Sequence, residues 1–444
     1  EKEHDVATGA SRANSGIVHA GFDCKEGSLK AKLNVKGSLM MEELCAEMGV
    51  SYDRCGSVVV GFGEEDDQTV KELYQRGLAN GVGGLSIKTG DEARALEPSL
   101  SGEVTSALFA DTGAIVCPYE LTIAAMGVAI YNGAVLQTGA AVKALTKKDG
   151  VWHIESEAGH FESTYLVNCA GVYSDEVAKM AGETRFSVHA RRGEYFLLDK
   201  ASGLSLKRTV FMAPSKMGKG VLVSPTAHGN IIVGPTAEDI EKKDSVQTTA
   251  SGLAQVRSLS QKSVPATPLR KAITSFCGLR AVGNTGDFII EQKEGVVHCI
   301  GIESPGLSAS PAIAKYVASL LEKAGALLKE KADFNGAYRP AVAFRSLTDE
   351  QKNEIIRKDS RYGRIVCRCE TVTEGEIVET LHKEPKPKTL DALKRRTRCG
   401  MGRCQGGFCT PVVTEIMAKE LGISELEVTK SGGTSRLLAE RTKA

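Results

Sequence analysis

Apolar and polar positions alternate along the chain in a way that predicts short β-branched strands, each closing in small residues and followed by a segment of helical period. In the clearest unit Val296-Val297-His298-Cys299-Ile300 predicts a strand and Pro305 with Gly306 a turn. Ser310 and Pro311 then predict a helix start, with apolar periodicity through Leu321. A second unit of this form covers residues 165–180, where Leu166-Val167-Asn168-Cys169 passes into Ala170-Gly171 and a helix start near Ser174. Such a helix start presents unpaired N–H groups, and a turn glycine lets a ligand approach the main chain, so an anionic or electron-rich ring suits both places. In an open α/β sheet, strand ends of this kind share one site.

Elsewhere Ser28 caps a predicted helix that runs to about Met48, with Leu29, Leu33, Leu39 and Leu44 as its buried face. Between residues 50 and 135, strand-like pieces such as Ser57 to Phe62 alternate with helical pieces such as Asp67 to Gln75. Gly61-Phe62-Gly63 and Gly81-Val82-Gly83-Gly84 complete no G-x-G-x-x-G ahead of a helix and read as turns. Residues 109–122 introduce a helix that leads to a strand at Ala134 to Leu136, residues 186–290 are strand-rich, and residues 326–360 are charged, poorly patterned and read as a linker.

The 444 residues suit two or three domains, and 56 basic against 55 acidic side chains exclude nucleic acid as a partner. No apolar run reaches membrane-spanning length. Twelve cysteines, without a disulfide framework, point to a reducing, cytoplasmic setting. The chain opens at Glu1 without a Met and reads as clipped, which leaves a targeting segment ahead of it open.

Three features carry chemistry. His19, among the small residues Ser15-Gly16 and Ala20-Gly21, can lie at the edge of a flat ligand. Arg280, inside Phe276-Cys277-Gly278-Leu279-Arg280-Ala281-Val282, is a cation in an apolar run and needs an anionic partner. Cys367-Arg368-Cys369, followed by Cys399, Cys404 and Cys409, clusters thiols on Gly-rich loops. Thr373 and Glu376 form a capping box between them, and Thr410-Pro411 opens a helix whose dipole favours a thiolate at Cys409. Zinc usually takes pairs separated by two to four residues, whereas C-x-C with a distant C-x4-C suits a four-thiolate iron–sulfur cluster better. Cys399/Cys404 and Cys404/Cys409 both satisfy C-x4-C, so spacing leaves one of the five surplus.

Asn14-Ser15-Gly16-Ile17-Val18-His19-Ala20-Gly21, Asn168-Cys169-Ala170-Gly171 and Gly301-Ile302-Glu303-Ser304-Pro305-Gly306-Leu307 resemble the FAD-dependent oxidoreductases of the D-amino-acid oxidase and glycerol-3-phosphate dehydrogenase superfamily, over about residues 1–325. The tail, with Gly400-Met401-Gly402-Arg403-Cys404-Gln405-Gly406, resembles the bacterioferritin-associated-ferredoxin-like [2Fe-2S] domain, a pairing seen in anaerobic glycerol-3-phosphate dehydrogenase large subunits. The resemblance implies an α/β fold: a Rossmann-like FAD-binding domain (1–48, 134–185, 270–325) interleaved with an α+β substrate domain (49–133, 186–269), then a small helical iron–sulfur domain (361–444). It implies flavin contacts at Glu1, Ser11, Asn14, Ser15, Gly16, Val142, Ala170, Gly171, Gly301, Pro305, Gly306, Leu307 and Ser308. The implied cluster ligands are Cys367, Cys369, Cys404 and Cys409, with Cys399 extra. The family's opening strand and G-x-G-x-x-G loop do not stand in the chain, and Glu1 resembles the acid that binds the adenosine ribose.

The expected substrate is a small anionic secondary alcohol, foremost sn-glycerol 3-phosphate. Arg280 with Lys216, Lys219 or Arg192 would hold its phosphate, and His19, or second His228, would take the hydroxyl proton. Electrons would leave through the cluster to a partner subunit or quinone-linked acceptor, with membrane contact only through that partner. The stretch from Asn14 to Lys32 is also similar to L-2-hydroxyglutarate oxidases, so a 2-hydroxy acid or a secondary amine is the alternative substrate. A non-catalytic electron-transfer subunit is the alternative role.

Overall fold

The computed structural model describes residues 1–214 and 220–440, so Lys216 and Lys219 lie outside the described residues. Leu166–Asn168 and Val296–Ile300 pair in parallel, with Ile289–Lys293 antiparallel on the far side of the second strand. Asn168 stands opposite His298. Ala170-Gly171 and Gly301 therefore leave the sheet at the same end, as the shared-site expectation requires.

A larger mixed sheet of nine strands runs from Glu238–Ile240 through Val188–Leu198, Ile231–Gly234, Leu222–Pro225, Thr209–Met212, Ser57–Gly61 and Ser106–Ala110 to Leu85–Thr89. Its ninth strand, Ala272–Gly283, pairs antiparallel along Val188–Leu198 and brings Arg280 opposite Arg191. Val58, Val60, Phe109, Val210, Val223 and Val233 pack its core. The β-branched run that marks these strands in the sequence is the surface buried here.

The helix after Val296–Ile300 spans Gly306–Lys323 and begins four residues before the expected Ser310. Pro311 lies inside it, where it has no N–H to give the Leu307 carbonyl. Ser310 Oγ supplies the missing donor, at 2.8 Å from Leu307 O. Ser-Pro, read as cap and first residue, is a compensating pair within the helix.

The first long helix, Leu29–Glu47, is capped by Ser28, whose side chain accepts from the Ala31 N–H. Its buried positions include Ala31, Leu33, Gly37, Met41 and Cys45, while the expected core residue Leu39 is 72% exposed. At Gly37 it meets Gly306–Lys323 so closely that a Cβ would stand 2.2 Å from Ser308 O.

Other expectations are corrected. Ala134 to Leu136 form no strand, Val135 being 91% exposed; the next strand is Val142–Lys148. The piece read as Asp67 to Gln75 is the longer helix Glu64–Ala79, with four acidic residues in its first turn complementing the dipole. Within the stretch read as linker, Tyr338 and Phe344 are buried, and Thr348 with Gln351 boxes the helix Asp349–Lys358.

The carboxy-terminal module packs the helices Glu374–His382, Leu390–Thr397 and Thr410–Leu421 around Ile377, Leu381, Leu393, Val413 and Met417. Asp5 ties it to the opening segment: its carboxylate accepts from Arg395 Nη2 at 2.6 Å and from Arg396 Nη1 and Nη2 at 2.8 Å each.

Candidate active site and iron–sulfur centre

Strand Ile17–Val18, paired with Ala114–Val116, delivers His19 to the start of helix Gly306–Lys323. The His19 N–H donates to Ser308 Oγ at 2.8 Å, and that hydroxyl lies 3.3 Å from the Ile17 carbonyl. Asn34, fully buried, donates to the His19 carbonyl at 3.3 Å and accepts from the Gly21 N–H at 3.1 Å once its amide is oriented to satisfy both. The His19 main chain is thus held from two helices. Its Nε2 lies 3.4 Å from Ser304 Oγ, and Phe211 tilts beside it with ring centroids 5.8 Å apart. A small cavity opens there, lined by His19, Gly21, Asp23, Asn34 and Pro305 among others.

Arg280 points from its strand toward the Thr236 carbonyl, with Nη1 and Nη2 each at 3.4 Å. Neighbouring cations are spent: Arg191 binds Asp239, and Arg192 binds Glu238 at 2.6 Å beside buried Glu194, which removes Arg192 from the expected anion set. Among the described residues Arg280 has no carboxylate partner. Its guanidinium stands by buried Tyr195, whose hydroxyl feels both Arg280 and Ser15, so this tyrosine lies between Arg280 and the Asn14-Ser15-Gly16 stretch. Burial raises the Tyr195 pKa while Arg280 opposes the shift. Sequence reading missed Tyr195 because nothing in Glu194-Tyr195-Phe196 distinguishes it from an ordinary strand aromatic.

Other expected flavin contacts fall into two groups. Gly301, Pro305, Gly306, Leu307 and Ser308 stand at the strand end and at a helix start whose cap, Pro305, offers its first turn no side chain, which leaves leading N–H groups for an acceptor. Asn14 Oδ1 accepts from the Gly16 N–H at 2.8 Å, its Nδ2 binds the Ser11 carbonyl at 3.3 Å, and a Cβ on Gly278 would stand 1.8 Å from the Ala13 carbonyl, so Arg280's strand runs directly under this turn. Ala170 N–H bonds Asn168 Oδ1 at 3.2 Å ahead of Gly171. Glu1 O accepts from Ala140 N at 2.9 Å, two residues before Val142.

The five carboxy-terminal cysteines divide by depth. Cys369 and Cys404 face outward with Sγ atoms 3.6 Å apart, whereas Cys367, Cys399 and Cys409 are buried with ligand atoms all within 4.8 Å. Two thiolates on each of two irons match an outer pair and two of the inner three. The neighbouring Cys399 and Cys409 thiols, then the backbone amides of Gly400 and Glu370, pull the Cys367 thiol down. Hydrogen bonds to Cys367 and Cys409, together with burial, push the Cys399 thiol far up.

Residues 1–320 match the family model of the FAD dependent oxidoreductases, DAO, and residues 365–419 match the BFD-like [2Fe-2S] binding domain. The chain belongs to the FAD dependent oxidoreductase family. As an FAD-dependent oxidoreductase it binds FAD in its large portion and a [2Fe-2S] cluster in its carboxy-terminal module. It is 44% identical to the glycerol 3-phosphate dehydrogenase of Caloramator mitchellensis, over 100% of this chain and 93% of that protein. It is 31% identical to the human mitochondrial L-2-hydroxyglutarate dehydrogenase, over 53% of this chain and 54% of that one. The dithionite-reduced L-alpha-glycerophosphate oxidase of Mycoplasma pneumoniae with FAD bound superposes with TM-score 0.73 at 30% identity, covering 77% of this chain and 92% of the other.

In this oxidoreductase a buried polar chain joins the cluster module to the flavin portion. Glu370 Oε2 accepts from Lys200 Nζ at 2.7 Å and from Arg345 Nη1 and Arg398 Nε at 2.9 Å. Arg398 continues to Tyr119 Oη at 3.0 Å and Asn230 Oδ1 at 3.1 Å. Arg345 Nη2 lies 3.0 Å from His228 Nδ1, and His228 Nε2 lies 2.6 Å from Glu120 Oε1. Arginine can only donate, so Nδ1 accepts and the ring proton sits on Nε2 against Glu120. Neither nitrogen remains for a substrate proton, which removes His228 as second base. Cys117, Glu120 and His228 present ligand atoms within 4.8 Å of one another.

Proposed function

We propose that this chain oxidises sn-glycerol 3-phosphate to dihydroxyacetone phosphate and delivers the electrons through its cluster to a separate acceptor. The observation that carries the reading is Arg280, the cation beside the Asn14-Ser15-Gly16 turn with no carboxylate partner among the described residues. The 44% identity with a glycerol 3-phosphate dehydrogenase over the whole chain supports the same substrate.

Arg280 holds the phosphate by charge-assisted hydrogen bonds, with Tyr195 beside its guanidinium. Lys219 is proposed as a second phosphate cation. His19, clamped at its N–H by Ser308 and at its carbonyl by Asn34, takes the substrate hydroxyl proton. Bound FAD supplies the two-electron acceptor, and the cluster carries electrons onward one at a time. Cys367, Cys369, Cys404 and Cys409 are proposed as the cluster's ligands. The outward Cys369/Cys404 pair and the 87% exposed Phe408 support an acceptor, a partner subunit or a quinone-linked carrier, meeting the module on this face.

No helix among the described residues is long and apolar enough to cross a membrane. Anaerobic titration of the purified enzyme tests the substrate: sn-glycerol 3-phosphate bleaches the flavin band, and L-2-hydroxyglutarate and secondary amines leave it. Bleaching by L-2-hydroxyglutarate alone would transfer the assignment to the 2-hydroxy acid. Bleaching by none of them would favour an electron-transfer role.

A further inference from the structure

The loops that carry the carboxy-terminal cysteines show solvent a surface of one charge sign. Arg368, between Cys367 and Cys369, is exposed and has no carboxylate partner among the described residues. Arg403, ahead of Cys404, meets Asp199 at 3.2 Å, but its side chain is 67% exposed and that of Asp199 only 14%, so the positive member of the pair faces outward. Glu370 is the sole carboxylate within residues 365–370 and 398–409. It is buried, and one of its oxygens takes Lys200, Arg345 and Arg398. Phe408, beside Cys409, stands almost wholly in water on the same loops.

A large apolar ring within a cationic rim is the composition of a docking surface, where a partner covers the aromatic anchor and flanking charges guide its approach. We infer that this face docks a small acidic one-electron carrier protein, with Phe408 as the apolar anchor and Arg368 and Arg403 paired to carboxylates around the carrier's redox centre. This rests on the reading above, in which electrons leave through the cluster, and narrows the acceptor to one class. Outward Cys369 and Cys404, with Sγ atoms 3.6 Å apart, belong to the same surface, so a carrier seated on Phe408 stands beside them.

Charge decides between occupants. A quinone head group is neutral and leaves water only for an apolar cleft, and Phe408, so exposed, lines none. A basic carrier is repelled by Arg368 and Arg403, whereas an acidic one is steered toward them. Oxidation of one secondary alcohol to a ketone releases two electrons and two protons. Two carriers each take one electron, and the protons pass to solvent.

The test is a stopped-flow experiment on the full-length holoenzyme, reduced anaerobically with dithionite and freed of excess reagent, so that substrate identity does not enter. The probes are oxidised rubredoxin, which is acidic, and oxidised cytochrome c, which is basic. Rubredoxin should be reduced faster than cytochrome c at low salt, and raising the ionic strength from about 0.05 to about 0.5 M should slow it about tenfold. Arg368→Glu and Phe408→Ser should each raise the rubredoxin concentration for half-maximal rate by about tenfold, the loss typical of an interface hot spot. Iron content and the cluster EPR signal of both variants should stay those of wild type. Rubredoxin reduction indifferent to salt and to both variants would overturn the docking surface. So would faster reduction of cytochrome c at low salt, or reduction of decylubiquinone but not of rubredoxin. Protein without iron would overturn the cluster and this face with it. Docking as expected, with no bleaching of the flavin by sn-glycerol 3-phosphate, would overturn the substrate assignment alone.

Discussion

Glu370 Oε2 lies 2.9 Å from Arg398 Nε, joining the residue after one cluster-loop cysteine to the residue before another. Lys200 and Arg345 meet the same oxygen, so three cations share a single carboxylate at the seam between module and flavin portion. Glu370→Gln should destabilise the protein by about 3 kcal/mol, the low end for a broken buried pair, because Lys200 and Arg345 keep 34% and 29% of their side chains exposed. Thermal unfolding and limited proteolysis between residues 326 and 360 would read the loss.

Acid should act on the same seam. Burial alone would raise the Glu370 carboxyl, but the hydrogen bonds and charges of Arg398 and Lys200 outweigh it and hold it below 4.5. A carboxyl depressed on folding contributes stability above its unfolded pKa and loses it as pH falls through the folded one. Wild-type stability should therefore decline below about pH 4.5, and the Gln variant should show a flatter profile there in urea titrations across pH.

Arg280→Met should raise KM for the anionic substrate on the order of ten- to a hundredfold, the equivalent of about 1.5–3 kcal/mol for bonds to a charged group. Steady-state kinetics would separate this from kcat, and the flavin spectrum should stay that of wild type. An unchanged KM would remove Arg280 from the anion site.

Gly37→Val tests the helix contact behind His19. A Cβ there meets Ser308 O at 2.2 Å and Ala309 Cα at 2.8 Å, both backbone atoms that cannot swing away. Overpacking of this kind costs about 1–3 kcal/mol. The variant should lose flavin during purification, measured as the ratio of flavin to protein absorbance, while its iron content stays near wild type.

Local chemistry was legible where one residue type has one physical use. The strand-turn-helix pattern at Val296 to Leu321 located the paired strand ends, and Ser28, Thr373 and Glu376 marked helix starts that the structure confirms. Errors came where a residue's role depends on distant partners. Leu39 fits a helical period but faces solvent, because Gly37 and Met41 set the buried side through contact with other segments. His228 reads as a base until Arg345, more than a hundred positions away, fixes its tautomer. Tyr195 carried no local mark, since its partners Ser15 and Arg280 come from distant parts of the chain.

Asp5 and Arg395 are separated by 390 positions, so the strap at Asp5 closes a loop that takes in both cofactor-binding portions. A chain without Arg395 and Arg396 would hold every proposed flavin contact but lack the clasp on the segment ahead of Asn14. The carboxy-terminal module is thereby a latch on the flavin portion's opening segment, remote from it in sequence and adjacent to it in space.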